Sequence, residues 1–214
     1  MPSTNPKTYA AAPSVKVAFL GLGVMGYPMA GHLALAGHQV TVYNRSAAKA
    51  GAWCTEYAAT PGPRSATTPK AAVADADIVF CCVGNDDDLR SVTLGADRGD
   101  GTRAGDGAFA GMRAGAIFVD HTTASANVAR ELDAEARKLG LKFIDAPVSG
   151  GQAGAQNGML TVMCGGEQTA FDTVVPVAMA FSRAFTLLGA SGAGQLASWP
   201  RWSTRSASPV WCRA

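Results

Sequence analysis

Six residues near the start of the chain have the types and spacing of a phosphate-binding turn. They follow the pattern Gly-x-Gly-x-x-Gly and read Gly21-Leu22-Gly23-Val24-Met25-Gly26. The first glycine permits a tight bend, the second lets the backbone approach a pyrophosphate, and the third lets helix and strand pack closely. Amides at the start of the following helix then bind the phosphates. We expect all six residues at a dinucleotide site; the alternative is a glycine-rich turn that binds nothing.

The ribose-reading position lies at the end of the next predicted strand, where Asn44 and Arg45 follow residues 39–43. An NAD-selective site usually has a carboxylate here, which accepts a hydrogen bond from the ribose 2′-hydroxyl. Asn44 does not repel a 2′-phosphate, and the Arg45 guanidinium can bind one. The sequence therefore favours NADP over NAD, unless Arg45 is only a solvated residue at a strand end. Val83, which ends a further predicted strand, joins the expected cofactor residues.

Two later motifs, together with the glycine turn, carry a resemblance to a known family. They read Phe143-Ile144-Asp145-Ala146-Pro147-Val148-Ser149-Gly150-Gly151 and Gly192-Ala193-Gly194-Gln195-Leu196-Ala197. With them, residues 15–197 resemble the β-hydroxyacid dehydrogenases, such as 3-hydroxyisobutyrate dehydrogenase and 2-hydroxy-3-oxopropionate reductase, and the NADP-binding domain of 6-phosphogluconate dehydrogenase. The resemblance implies hydride transfer between NADP(H) and a small hydroxy acid or semialdehyde.

The resemblance also implies a substrate site. It assigns Ser149, Gly150 and Gly151 to the substrate carboxylate, and small residues do let successive backbone amides converge on an anion. It assigns Thr122, which follows a predicted strand, to the wall of the same site; the alternative is that Thr122 caps the next helix. His121 receives no chemical role, because a lone histidine after a strand is more often a structural residue than a base.

The family's catalytic lysine has no counterpart in this chain. The resemblance places that lysine six residues after Gly192, where it exchanges a proton with the substrate oxygen during hydride transfer. The residue at that position is Ser198, whose neutral hydroxyl cannot replace an ammonium. No catalytic residue is therefore intact, and we expect negligible turnover.

The segment from Ser198 onward differs in character from the rest of the chain. Residues 198–214 hold three of the four tryptophans and show neither helical nor strand periodicity. Residues 198–206 can be written with permitted codons that, grouped one base earlier, encode Gln-Leu-Ala-Lys-Met-Val-Asn-Gln-Ile. This shifted reading frame restores a lysine. The restored text begins by repeating Gln195-Leu196-Ala197, as a short tandem duplication in the gene would produce. We interpret residues 198–214 as a frameshifted, disordered tail; the alternative is a natural divergent tail.

The predicted elements place these motifs in one domain. Strands are predicted at residues 15–20, 39–43, 77–83, 116–120, 142–146 and 160–164, and helices at 24–36, 47–57 and 125–139. This alternation predicts an α/β fold with a Rossmann-type, doubly wound, mostly parallel sheet over residues 15–190. We expect residues 1–14 to form a disordered extension and residues 191–197 to start an interdomain helix. The family's all-helical second domain, on the order of 100 residues, is expected to be missing.

Composition limits the partners of the chain. Its 214 residues carry 18 Lys and Arg against 16 Asp and Glu, which argues against nucleic acid and anionic membranes. The five cysteines lack metal-ligand spacing, so we expect no metal and a reducing, cytoplasmic setting. The expected partner is a small carboxylate-bearing substrate. Full-length relatives are expected to be homo-oligomers and this chain a monomer or an aggregate.

Three functions remain open at this point. The first is an NADP-preferring oxidoreductase of the β-hydroxyacid dehydrogenase type, inactive in this chain. The second is a non-catalytic NADP-binding fragment from a damaged gene. The third is an imine-reductase-like enzyme that replaces the lysine with another proton donor.

Overall fold

The computed structural model describes residues 7–10 and 13–203, with side chains for residues 7–10 and 13–198. In these ranges the chain forms one sheet with helices on both faces. The strands are β1 (Lys16–Leu20), β2 (Gln39–Tyr43), β3 (Arg64–Ser65), β4 (Ile78–Cys81), β5 (Ile117–Asp120), β6 (Lys142–Asp145), β7 (Val148–Ser149), β8 (Leu160–Gly166) and β9 (Ser182–Gly189). The helices are α1 (Gly26–Leu35), α2 (Ala47–Glu56), α3 (Pro69–Val73), α4 (Asp86–Leu94), α5 (Ala126–Lys138), α6 (Gly151–Gln156), α7 (Gln168–Ala178) and α8 (Ala193–Ser203), with a 3-10 helix at Ala108–Ala110.

The strand order confirms the predicted fold class. The sheet runs β3-β2-β1-β4-β5-β6-β8-β7, and β9 pairs with β8. The six strands from β3 to β6 in this order pair parallel to one another, whereas β8 is antiparallel to β6 and β7. The chain therefore winds outward from β1 in one direction and from β4 in the other, which defines a doubly wound sheet.

Alternate side chains of each central strand enter two separate cores. In β1, Val17 and Phe19 pack with α1 and α2, whereas Ala18 and Leu20 pack with α3, α4 and α5 on the opposite face. A parallel strand that is buried on both faces has no polar face, so its sequence is a continuous apolar run. This is why the central strands could be predicted from the sequence.

The N-terminal segment is anchored at residues 7–10, so our expectation of a disordered extension is wrong for these residues. The Lys7 ammonium donates to the carbonyl oxygens of Gly158 (2.5 Å), Met179 (2.8 Å) and Ser182 (3.0 Å). Gly158 and Met179 lie just beyond the carboxyl ends of α6 and α7, where the helix dipole favours a cation. Residues 1–6 and 11–12 lie outside the described residues.

A second contact anchors the same N-terminal segment to α1. The Tyr9 hydroxyl is 2.6 Å from His32 Nδ1, and His32 Nε2 lies 3.0 Å from the Ala155 carbonyl oxygen in α6. Burial lowers the pKa of His32, which favours the neutral ring. Residues 7–10 therefore connect the helix that follows the glycine turn with the helix that follows Gly150.

The prediction for the C-terminal tail is also corrected in part. Helix α8 runs from Ala193 to Ser203, so residues 198–203 are helical rather than disordered. Once a first helical turn exists, each added residue gains a hydrogen bond for little further ordering, so a helix can extend into a segment without apolar periodicity. The rest of the predicted tail, residues 204–214, lies outside the described residues.

Candidate functional site

The ends of five parallel strands form one row across the sheet. Pairing places Tyr43 opposite Leu20, Leu20 opposite Cys81, Cys81 opposite Asp120, and Asp120 opposite Asp145. The segments that follow these five residues therefore emerge at the same edge. In a doubly wound sheet, ligands bind at the carboxyl edge where the winding reverses, here between β1 and β4.

The three motif glycines of the turn meet different steric demands. Gly21 has a φ of 94°, and a Cβ there would collide with the Cys82 carbonyl oxygen. A Cβ on Gly26 would collide with the Gly21 carbonyl oxygen, so strand and helix pack at backbone contact. A Cβ on Gly23 would meet nothing within 4 Å. The turn is thus closely packed behind and open in front, as a phosphate-binding turn requires.

A cavity of about 580 Å³ opens in front of this turn. Its lining residues come from the ends of β1, β2 and β4 and from the helices that follow: Gly21, Gly23, Val24, Met25, Tyr43, Asn44, Arg45, Ser46, Lys49, Cys82, Val83, Gly84, Asp88, Ser91 and Val92. Seven of the nine expected cofactor residues are therefore on its wall. The other two, Leu22 and Gly26, are buried behind the turn.

Asn44 supports the turn rather than facing an open position. Its side-chain oxygen accepts a hydrogen bond from the Leu22 amide at 2.9 Å, and its side-chain nitrogen donates to the Ser46 carbonyl oxygen at 3.2 Å. An aspartate here could accept the same amide bond but would place a negative charge at the ribose position. The neutral amide holds the turn without that charge.

Two cations lie where the cavity meets the start of α2. The Arg45 side chain is 91% exposed, and its nearest acid is Asp88, with Nη1 and Oδ1 3.7 Å apart. Lys49, which our sequence reasoning missed, lies in the first turn of α2 and lines the same cavity. The available signal was its place one turn after Arg45, at the amino end of the helix that follows the ribose position.

Thr122 is held at the end of β5 by a hydrogen bond from a backbone amide to its hydroxyl and by one from its own amide to a carboxylate. Its hydroxyl accepts a hydrogen bond from the Val83 amide at 3.1 Å, and its own amide donates to Asp120 Oδ1 at 2.9 Å. The alternative role as a helix cap belongs instead to Ser125, whose hydroxyl accepts from the Val128 amide at the start of α5. Thr122 is 1% exposed and is not on the wall of the 580 Å³ cavity.

His121 has the geometry of a packing residue. Its Nδ1 donates to the Ala146 carbonyl oxygen at 2.7 Å, and its ring lies 5.8 Å from Phe80 and 5.3 Å from Phe181. Burial lowers the pKa of His121 to about 4, so the ring is neutral at physiological pH. His121 thus packs between Phe80 and Phe181 as a neutral, buried ring.

The segment expected to bind the substrate carboxylate lies between β7 and α6. Ser149 ends β7 and is half-buried, whereas Gly150 and Gly151 are exposed. Gly150 has a φ of 131° and Gly151 a φ of 61°, conformations that favour glycine. These residues are not on the wall of the 580 Å³ cavity, so the structure does not bring them together with the cofactor residues.

Comparison with known proteins identifies the domain. Residues 16–189 match the family described as the NAD binding domain of 6-phosphogluconate dehydrogenase. The chain belongs to this family. Its match covers the sheet from β1 to β9, and so the NAD(P)-binding fold, the glycine turn and the cavity all lie within the family domain.

Three relatives show how far the similarity extends. An uncharacterised oxidoreductase from Shewanella frigidimarina is 61% identical over 181 residues, which are 85% of this chain and 58% of that protein. A 3-hydroxyisobutyrate dehydrogenase structure from Mycobacterium tuberculosis, with L-serine, has a TM-score of 0.76 at 31% identity over 86% of this chain and 58% of its own. The structure of Psf3 in complex with NADP+ and 2-OPP has a TM-score of 0.75 at 27% identity over 85% and 60%. The chain thus spans about 58% of the first two of these relatives.

Beyond the family domain, the first turn of α8 is anchored at the same edge of the sheet. Asp145 accepts hydrogen bonds from the Gly192 amide (2.6 Å) and the Gln195 amide (2.9 Å). The Gln195 side chain donates to the Thr122 carbonyl oxygen at 2.7 Å and accepts from the Ala124 amide at 3.1 Å. These contacts join the last two sequence motifs to the loop after β5, which sequence reasoning did not foresee.

Ser198 follows this anchored turn. It is half-buried, and its hydroxyl donates to the Gln195 carbonyl oxygen at 2.8 Å. The hydroxyl proton is therefore committed to the backbone of its own helix.

The described residues lack two further kinds of feature. No helix within residues 7–10 and 13–203 has the length and apolar character needed to cross a membrane. Over the same residues, His, Cys, Asp and Glu side chains form no group of three or more that could hold a metal ion.

Proposed function

We propose that this chain binds NADP(H), in preference to NAD(H), in the cavity at the carboxyl ends of β1, β2 and β4. The observation that carries the proposal is the open face of the turn at Gly23 beside the exposed cations Arg45 and Lys49. A 2′-phosphate can receive charge-assisted hydrogen bonds from both side chains. The NADP+ complex of Psf3, a structural relative, supports the same cofactor.

The described residues fit such a cofactor. Helix α1 begins at Gly26 without a side-chain cap, which suits a helix whose first amides bind a pyrophosphate. Val24 is 65% exposed at the mouth of the cavity, where it can cover an apolar part of the nucleotide. When bound, the nicotinamide would supply or accept the hydride.

We further propose that full-length proteins of this type act on a small hydroxy acid or semialdehyde. Its carboxylate would bind Ser149, Gly150 and Gly151 beside Thr122. The resemblance of the last two motifs and the similarity to the Mycobacterium tuberculosis dehydrogenase support this substrate class.

The four described cysteines are free thiols, which supports a reducing, cytoplasmic setting.

This chain, however, lacks the group that would transfer the substrate proton. The Ser198 hydroxyl donates to the Gln195 carbonyl oxygen, and an alcohol has neither the charge nor the acidity of an ammonium. The chain is therefore a nucleotide-binding protein with negligible turnover. Resequencing the gene across codons 190–214 tests the proposed frameshift: a repeat of the bases for Gln195-Leu196-Ala197 supports it, and a single copy refutes it.

Titration calorimetry with NADPH and NADH tests the binding proposal. We expect the unmodified chain to bind NADPH more tightly than NADH. Arg45→Ala should weaken NADPH binding about tenfold, as loss of a hydrogen bond to a charged group implies, and should leave the affinity for NADH unchanged. Lys138→Ala is the control, because Lys138 pairs with Glu135 on α5 and does not line the cavity. Equal affinity for both nucleotides, or no binding of either, would overturn the proposal.

A kinetic assay tests the second half of the proposal. NADPH absorbance followed with 3-hydroxyisobutyrate and with its semialdehyde should show no turnover by this chain. A rate comparable to that of a frame-restored protein with lysine at position 198 would contradict the role assigned to that position.

A further inference from the structure

The first turn of α4 carries three consecutive acids, and the first two of them bind residues outside the cavity. Asp86 accepts hydrogen bonds from the Ser125 amide at 2.9 Å and from the Ser125 hydroxyl at 2.5 Å, which joins α4 to the start of α5. Asp87 pairs with Arg90 on its own helix at 3.3 Å. Neither residue lines the 580 Å³ cavity.

Asp88, the third acid, faces the cavity instead. It lines the wall with Arg45 and Lys49, and its Oδ1 lies 3.7 Å from the Arg45 guanidinium. A Cβ on Gly84 would lie 2.6 Å from Asp88 Oδ2, so the absence of a side chain at Gly84 leaves room for the carboxylate in this position. The side chain is 38% exposed, which leaves it accessible to a ligand.

The charges on this wall distinguish the two nucleotides. Arg45, Lys49 and Asp88 are the charged residues among its lining residues. A phosphate monoester carries a charge of about −1.5 to −2 at pH 7, whereas the corresponding group of NAD is a neutral hydroxyl. A carboxylate repels the phosphate and competes with it for Arg45, but it can accept a hydrogen bond from the hydroxyl.

We propose that Asp88 is a specificity-determining residue that opposes the 2′-phosphate of NADP(H) and so narrows the preference of the site for NADP(H) over NAD(H). The inference rests on the proposed function, because it needs the 2′-position of the nucleotide to lie beside Arg45. It assigns the control of cofactor choice to two segments: the loop after β2 supplies the cation Arg45, and α4 supplies the opposing anion Asp88.

A purely structural role for Asp88 has other residues to fill it. Acids in the first turn of a helix stabilise the helix dipole, and Asp86 and Asp87 supply two of them. The cap of α4 uses the backbone amide of Asp88, which donates to Asn85 Oδ1 at 2.9 Å, and this bond survives a change of side chain. We therefore expect Asp88→Asn to fold.

Titration calorimetry on the full chain tests the inference with NADPH and NADH as probes. Removing an exposed opposing charge should lower the dissociation constant of Asp88→Asn for NADPH about three- to fivefold and leave that for NADH unchanged or higher. The matched control is Asp87→Asn, which removes the same charge from the same helical turn but outside the cavity. Its affinity for both nucleotides should equal that of the unmodified chain.

Three results would overturn the inference. The first is an equal change in affinity for both nucleotides in Asp88→Asn, and the second is no change in affinity for either. The third is the same gain in affinity for NADPH in Asp87→Asn. Thermal unfolding of each variant, and a second neutral variant, Asp88→Ser, separate loss of folding from loss of discrimination. If the unmodified chain binds neither nucleotide, the proposed function fails; if it binds NADPH and Asp88→Asn does not alter the ratio, this inference alone fails.

Discussion

Asp120 and His121 are adjacent and fully buried, and their pKa values are shifted in opposite directions. Burial raises the pKa of Asp120 to about 7, against the opposing effect of its bonds from Thr122, and lowers that of His121 to about 4. No described residue bonds to Asp120 Oδ2 or His121 Nε2, so neither charged form gains a second partner. We predict that each residue gives the free energy of unfolding a pH dependence of opposite sign.

The magnitude follows from the difference between folded and unfolded pKa values. The ordinary pKa values of the two groups are 3.8 for Asp120 and 6.5 for His121, so the changes in pKa on folding correspond to about 4 and about 3 kcal/mol. On folding between pH 4 and 6.5, Asp120 takes up a proton and His121 releases one. The contribution of Asp120 is complete below pH 4 and is lost as the pH rises to 7. The contribution of His121 is complete above pH 6.5 and is lost as the pH falls to 4.

Urea unfolding at a series of pH values between 4 and 7, followed by circular dichroism, measures these contributions as differences between variants. The free energy of unfolding of Asp120→Asn, minus that of the unmodified chain, should rise by about 4 kcal/mol across this range. The same difference for His121→Gln should rise by about 3 kcal/mol as the pH falls from 6.5 to 4. If both variants give profiles parallel to that of the unmodified chain, the two groups are not buried in the ionisation states argued above.

Two further predictions concern anchored segments. Asp145→Ala leaves the buried amides of Gly192 and Gln195 without their acceptor. We therefore expect the free energy of unfolding in urea to fall by about 2 to 6 kcal/mol and hydrogen exchange in α8 to become faster. The exposed Asp172, which accepts a hydrogen bond from Gln168 on α7, supplies the control Asp172→Ala, and an equal loss of stability in both variants would contradict the argument. Lys7→Met removes the ammonium from its three carbonyl oxygens, so we expect faster hydrogen exchange over residues 151–159 with unchanged exchange in α5; unchanged exchange over residues 151–159 would show that the N-terminal contact does not hold α6.

The apolar strands of the fold could be predicted from sequence, and the polar elements could not. β2 has its predicted bounds, and α5 lies within the predicted residues 125–139 because Ser125 supplies its cap. Helix α4 was missed because its first turn is acidic and few of its residues are buried. Strand β9 was missed because its side chains are largely half-buried or exposed, so it lacks the continuous apolar run of the central strands.

The same division holds for the site. The glycine turn was predictable because its function depends on local backbone geometry that glycine alone allows. The contact of Asp88 with Arg45, and that of Gln195 with Thr122, join residues far apart in the sequence. No local pattern marks such pairs, because they depend on which strand ends lie side by side.

The anchored first turn of α8 has a consequence for the register of the chain. Because Asp145 and Gln195 fix where this helix begins, each later backbone position of α8 up to Ser203 has a set angle around the helix axis and a set height along it. Deleting one residue between Gln195 and Ser198 would rotate each later backbone position of α8, as far as Ser203, by about 100° around the helix axis and shift it by about 1.5 Å along the axis. A surface loop can rearrange to accommodate such a deletion, whereas a helix with a fixed start transmits the full rotation and shift to its later turns. In this segment the number of residues therefore matters as much as their identity.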